Sequence, residues 1–246
     1  MSETLVNVSN PVDGVRVLAF NRPTKRNALS QELIDVFLRD LGAAAADQSV
    51  KVVVVTGSST FFCAGADIKE ISELDADGAR QCRYLEDLCQ GLQSVRKPVV
   101  AAVEGMACDL IFASTSSRFG LPEVSIGLLP GAGGTQRLTN AVGKYKAMQM
   151  ILLGTPITAA EASAAGLVAD VFEPGNVLDK VLQTASKLAS MSPSALSLAK
   201  EAVCRSDDLG RDDSFERSLY YYAFGTQDKR EGVGAFLEKR APKWGM

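Results

Sequence analysis

The spacing of apolar and polar positions changes period several times along the chain and divides it into strands and helices. Leu5 to Ser9 and Val15 to Phe20 alternate as paired strands do, with Pro11, Asp13 and Gly14 at the turn. Leu33, Val36, Phe37 and Leu41 recur at helical spacing within Glu32 to Ala46, and Ser30 suits the N-cap. Val52 to Thr56 is a short continuous apolar run, as in a strand buried on both faces. A loop rich in Gly, Ser and Thr follows from Gly57 to Gly65, then a short helix over Ala66 to Ile71 and a longer one over Ala76 to Val95. Pro98 to Val103 and Asp109 to Ser114 are two further apolar runs. Val142 to Leu153, Ala159 to Ala165 and Asn176 to Ala189 read as helices, with a last strand at Leu167 to Phe172.

Strands alternating with helices predict an α/β core with a mostly parallel sheet. From Ser192 onward the period is helical: Ala195 to Cys204, Asp213 to Phe224 and Asp228 to Lys239. A soft boundary near Met191-Ser192-Pro193 therefore divides a core over 1–191 from a helical region over 192–246. One junction breaks the pattern. Only Glu104, Gly105, Met106, Ala107 and Cys108 separate two buried-type strands. Parallel neighbours need a crossover of about a dozen residues, so this junction is expected to allow a hairpin but not a parallel pairing.

Composition removes several functions. Net charge is -3 and the pI about 5.2, which gives no basic face for nucleic acid. No apolar run reaches the ~20 residues of a membrane span, and the start MSETLVNVSN carries no secretory pattern. Five cysteines without a C-x-x-C pair point to free, buried packing thiols in a reducing compartment. The chain has no histidine, so Ser-His-Asp, Cys-His and His-zinc chemistry are excluded. Acid–base work falls to carboxylates, Lys, Tyr or Cys.

Three motifs remain. Gly131-Ala132-Gly133-Gly134 fails the dinucleotide fingerprint at Gln136, and no G-K-[ST] follows it, which leaves a tight turn into a helix. Phe62 to Asp67 lies where a loop gives way to a helix. Its amides either hold a phosphate or a developing oxyanion, or form a plain helix start with Asp67 against the dipole. Glu123, between Leu121-Pro122 and Val124, reads either as a surface-turn residue or as a desolvated carboxylate able to trade protons near neutrality.

Taken together, NRPTKRNAL at Asn21 to Leu29, FFCAGADIKE at Phe61 to Glu70, PVVAAVEGMA, FGLPEVSIGLLPGAGGTQRL and DKREGVGAFLEKRAPKW resemble the enoyl-CoA hydratase/isomerase (crotonase) superfamily. The likeness covers nearly the whole chain. It implies a crotonase-like spiral of ββα units, a helical C-terminal trimerisation region, and a homotrimer or dimer of trimers. It also implies acyl-CoA thioester substrates, with coenzyme A as part of the substrate and no separate cofactor or metal. The expected location is intracellular, in cytoplasm or, after loss of a presequence, the mitochondrial matrix.

By the same resemblance, the Ala66 N–H is an oxyanion donor to the thioester carbonyl and Glu123 moves the proton at C2. Ala64, Gly65, Asp67, Ile68 and Lys69 line the adenine and pantetheine path, and Lys25 and Arg26 flank the adenine and phosphates. Phe236 and Lys239 reach a neighbouring subunit's coenzyme A. The departure is at the junction. Family members read like GMALGGGxELALxCD, whereas this chain runs Gly105-Met106-Ala107-Cys108-Asp109, shorter by roughly ten residues, nearly three helical turns. In the family that stretch supplies a second oxyanion N–H and a first catalytic Glu, and no residue here replaces that Glu by position. The expectation is hydratase-type chemistry on 2-trans-enoyl-CoA in fatty-acid or branched-chain breakdown, with little hydration by this chain itself. Alternatives are an enoyl-CoA isomerase, a 3-methylglutaconyl-CoA hydratase, and a non-catalytic acyl-CoA-binding or assembly subunit.

Overall fold

A computed structural model of the chain describes residues 4–58, 61–102, 108–191, 193–208, 221 and 224–240. Strands β1 (Val6–Val12) and β2 (Val15–Phe20) form an antiparallel hairpin, and helix α1 (Gln31–Ala46) leads to β3 (Val52–Thr56). Helices α2 (Ile68–Glu73), α3 (Ala76–Gln81) and α4 (Glu86–Ser94) precede β4 (Val99–Ala102) and β5 (Leu110–Ser114). Then come β6 (Arg118–Phe119), α5 (Gly134–Val142), α6 (Lys144–Leu152), β7 (Ile157–Thr158) and α7 (Ala159–Ala164). Strand β8 (Asp170–Phe172) and helices α8 (Val177–Ala189), α9 (Pro193–Asp208) and α10 (Gln227–Leu237) complete the described elements.

The main sheet has the order β1-β2-β3-β4-β5-β8, parallel from β2 onward. The central strands β3 and β4 are apolar on both faces because both are covered, whereas edge strand β1 is largely exposed. Val53 and Val55 face α1 in the cluster of Leu33, Ile34 and Phe37, while Val52 and Val54 face Val177, Val181 and Ala185 of α8. Burying a side chain of this size is worth roughly 1.5–3 kcal/mol. A third cluster packs β5 against α5, α6 and α7 through Ile111, Leu138, Met150 and Ala162.

The sequence pattern holds for β2, β3 and α1, where the Ser30 hydroxyl accepts from the Leu33 N–H at 3.3 Å. Several expected boundaries shift. The helix expected at Ala66 begins at Ile68, because Ala66 is held in a β-bridge to Leu29. The helix expected over Ala76 to Val95 is two helices, broken where Arg83 and Leu85 take positive φ. The helix expected over Val142 to Leu153 is α6, which begins at Lys144, and Gly143 divides it from α5 before it. The last strand shortens to β8, with Leu167 and Val168 spent on the third cluster.

The junction expectation is overturned. β4 and β5 are parallel neighbours, with Val100 opposite Leu110 and Ala102 opposite Phe112. The intervening residues 103–107 lie outside the described ones. Asp109 locks the register on the far side: its N–H donates to the Val99 carbonyl at 2.9 Å, and its carboxylate accepts from the Val99 N–H at 2.7 Å. Lys200 of α9 completes the lock with a 2.8 Å ion pair to Asp109. The return needed is about three strand residues at ~3.3 Å each plus one strand spacing of ~4.8 Å, within the reach of residues 103–109. The dozen-residue norm reflects the usual helix on that path, not the length of chain required.

Candidate functional site

The Ala66 segment is built by the NRPTKRNAL stretch. Pro23–Lys25 forms a 3-10 turn, after which Arg26 and Asn27 take φ of 50° and 56°. Asn27 is fully buried; its amide donates to the Phe61 and Phe62 carbonyls at 3.1 and 2.9 Å, and its oxygen accepts from the Arg22 N–H at 2.8 Å. The Ala64 N–H donates to the Arg26 carbonyl at 3.0 Å. The Leu29 N–H donates to the Gly65 carbonyl at 2.8 Å, and the Asp67 N–H donates to the Leu29 carbonyl at 3.0 Å.

That parallel bridge consumes the peptide groups on either side of Ala66 and turns the Ala66 N–H the other way. Among the described residues the Ala66 N–H has no acceptor. Gly65 has φ +92°, a conformation that favours glycine.

Asp67 is the N-cap of α2, accepting from the Lys69 N–H at 3.0 Å, and it forms a 2.5 Å ion pair with Arg22. Burial alone raises the Asp67 carboxyl, but the Arg22 hydrogen bond and charge and the Lys69 and Glu70 N–H groups outweigh it. The net shift is below the usual carboxylate range. One turn on, Glu70 accepts from the Gln31 N–H at 2.9 Å, and burial, with Asp67 nearby, holds its carboxyl above the usual range.

Glu123 opens a 3-10 turn, Glu123–Ile126, directly after Pro122, and the turn closes on Gly127 with φ +75°. The Leu128 N–H donates to the Glu123 carbonyl at 3.0 Å, fixing the backbone, and the Glu123 Oε2 atom is buried. Ile126 and Leu128 of this turn share one apolar cluster with Phe62, Ala66 and Ile68. The structure thus sets the Ala66 segment and the Glu123 turn on the same core.

The other predicted positions divide into two groups. Lys25, Arg26, Ala64, Gly65 and Lys69 are exposed; Arg26, Ala64, Gly65 and Lys69 adjoin the Ala66 amide through the hydrogen bonds above, Lys25 lies in the preceding turn, and Arg26 stacks 5.0 Å over the Phe61 ring. Ile68 is half-buried, and the Asp67 carboxylate is engaged by Arg22 and α2. Phe236, 56% exposed, and Lys239, at φ 56°, lie at the far end of α10, away from the Lys229–Leu74 contact that ties this helix to α2. The glycine loop is a tight turn into α5: Gly133 has φ +76°, and a Cβ there would overlap the Arg137 guanidinium.

A cavity of about 330 Å³, lined by Cys108, Asp109, Ile111, Arg137 and Asn140, lies beside the junction and includes none of the predicted site residues. Arg22 and Asn27, the residues that shape the Ala66 segment, were not singled out by sequence. The signal available was an Asn in a Pro-initiated turn, since a short polar side chain tolerates positive φ.

Comparisons with known proteins decide the family. The profile of the enoyl-CoA hydratase/isomerase family matches residues 11–246. This chain belongs to that family. It is 43% identical to the 2,3-dehydroadipyl-CoA hydratase of Escherichia coli K12 over an alignment of 254 positions covering 98% of each protein. It is 44% identical to a probable enoyl-CoA hydratase of Rhizobium meliloti, covering 92% of each. Among solved structures, methylmalonyl-CoA decarboxylase in complex with 2-nitronate-propionyl-CoA superposes with a TM-score of 0.87 at 28% identity and 98% coverage of both chains. An enoyl-CoA hydratase from Bacillus anthracis superposes with a TM-score of 0.78 at 32% identity, covering 98% of this chain and 99% of that one. An alignment of 254 positions exceeds the 246 residues of this chain, so the Escherichia coli relative holds residues with no counterpart here.

Proposed function

We propose that this family member carries out hydratase-type chemistry on enoyl-CoA thioesters of acyl-CoA breakdown. The Ala66 N–H takes the charge that develops on the thioester oxygen, and Glu123 carries the proton at C2. The observation that supports this most directly is the Ala66 N–H, which has no acceptor among the described residues while the groups on both sides of it are bound to Leu29. An amide fixed in this way needs no reorganisation when enolate-like charge appears. Acyl-CoA, with its coenzyme A along Lys25, Arg26 and Ala64 to Lys69, is the sole partner needed for the reaction. No further cofactor enters this chemistry, and assembly follows the family's trimeric pattern through the helices after residue 191.

The short junction separates the two half-reactions. Proton transfer at C2 needs Glu123 and the Ala66 amide. Addition of water at C3 also needs a base, and the family's first catalytic Glu has no counterpart by position. Losing a general base typically costs about 10²–10⁴-fold, and one oxyanion donor about 10²–10³-fold. The two losses need not multiply. The same observation favours a second reading, isomerase-type transfer of a proton between C2 and C4 by the single carboxylate Glu123. Crotonyl-CoA hydration followed at the enoyl absorbance, beside isomerisation of a 3-enoyl-CoA, tests both. Isomerisation exceeding hydration is expected; hydration at the rate of the relatives would overturn the half-reaction argument.

A further inference from the structure

Helix α10 touches both carriers of the proposed site. At one point the ammonium of Lys229, a residue only 3% exposed, donates to the Leu74 carbonyl at 2.5 Å, where α2 ends. The Phe224 ring lies 5.1 Å from Nζ, and the Asp75 carboxylate and Arg230 guanidinium also act on this ammonium. Three residues on, Gly232 seats the helix against Ile126, the last residue of the Glu123 turn. A Cβ at Gly232 would overlap the Ile126 backbone. Residues three and four apart share one helix face, and Lys229, Gly232 and Val233 are all buried.

Both contacted elements are short and stiff. α2 spans Ile68–Glu73 behind its Asp67 cap, so its ends move together, and Ala66 adjoins that cap. In the 3-10 turn, residues three apart stack on the same side, which puts Glu123 one turn directly above Ile126. Moving the seat at Ile126 therefore moves Glu123, and loosening the tie at Leu74 loosens Ala66.

We infer that α10 is an intrachain spacer that sets the separation between the Ala66 amide and the Glu123 carboxylate, with Gly232 and Lys229 as positioning residues for the C2 proton transfer. This rests on the reading of the site given above. Neither residue touches substrate; each acts through the element it holds.

The test compares Gly232→Ala with Gly234→Ala on the same helix, because a Cβ at Gly234 meets nothing within 4 Å. Three readouts are taken on the full chain: binding of a saturated acyl-CoA, the red shift of a conjugated enoyl-CoA chromophore, and C2 deuterium exchange of a 3-enoyl-CoA. Amide exchange of the segments 65–74 and 123–128 is measured beside them, with β2 and β3 as reference. Gly232→Ala is expected to lower C2 exchange about 100-fold, the scale of a 1 Å misplacement. Acyl-CoA affinity stays within about twofold, and protection falls in 123–128 but not in the sheet. Gly234→Ala matches the wild type throughout.

Lys229→Met, a milder change should Gly232→Ala not fold, is expected to lower protection in 65–74 and reduce the red shift. Equal C2 exchange in Gly232→Ala and Gly234→Ala overturns the inference. So does a Gly232→Ala variant that loses binding, red shift and exchange in the same proportion. If the wild type shows no red shift and no C2 exchange while the amide-exchange pattern appears as described, the spacer stands and the functional reading falls.

Discussion

Leu29 grips Ala66 from both sides, donating to the carbonyl before it at 2.8 Å and accepting from the N–H after it at 3.0 Å. The Ala66 amide is thereby aimed by main chain alone, with no side chain to drift. Removing that one donor by Ala66→Pro is expected to abolish the red shift of a bound conjugated enoyl-CoA and to lower C2 exchange about 10²–10³-fold. Unchanged far-ultraviolet circular dichroism shows that the fold persists.

Two carboxylates of this region carry opposite pH signs. Asp67 is depressed in the folded chain, so its contribution is present above about pH 4 and is lost as pH falls through the folded value. Glu70 is raised, so the folded state binds the extra proton, and stability falls as pH rises from about 4 through the folded value. Glu70→Gln keeps an acceptor for the Gln31 N–H and removes the buried charge. It is expected to melt at or above the wild-type temperature at pH 7 and to lose that advantage at pH 4. Asp67→Asn is expected to melt lower than wild type at pH 7, with the gap closing in acid.

The thiols are expected to react in order of enclosure. Enclosure, with Asp109 alongside, pushes the Cys108 thiol up to about 12, and Cys89 is buried on α4. Cys204 is exposed. Titration with a chromogenic disulfide at pH 8 is expected to label the exposed Cys82 and Cys204 in the folded protein, Cys108 slowly because its thiolate is disfavoured, and Cys89 only after unfolding. Peptide mapping of the labelled sites checks the order.

The periodic elements were legible in sequence because burial on one or both faces leaves a period that survives without neighbours. Val52 to Thr56 and the Ser30-capped α1 are examples. The break at Arg83 and Leu85 was not, since positive φ at non-glycine residues is imposed by tertiary packing, here around the buried Tyr84. The start of α5 was legible in the glycines of Gly131 to Gly134, read as a tight turn into a helix, but its extent to Val142 was not. The parallel pairing of β4 and β5 across a short connection contradicted a topological norm that holds for helical crossovers. At the candidate site, Ala66 and Glu123 were found through family motifs, whereas Arg22 and Asn27 act over sequence distances of 34 to 45 residues and carry no local period.

The junction itself is open to a direct test. Inserting a GGGxELAL-type stretch between Ala107 and Cys108 supplies the residues that the family pattern carries there. Crotonyl-CoA hydration is expected to rise about 10²–10⁴-fold with a glutamate in that stretch. A matched insert carrying Gln in its place should give most of the oxyanion gain and little of the hydration.

Glu123 and the Ala66 amide acting on one thioester is the central claim, and exchange at C2 reads it most directly. Deuterium incorporation at C2 of a 3-enoyl-CoA is followed by mass spectrometry for the wild-type chain and for Glu123→Gln. The account predicts measurable exchange in the wild type and a loss of about 10²–10⁴-fold in Glu123→Gln with acyl-CoA binding retained. Exchange that is the same in both proteins would contradict it.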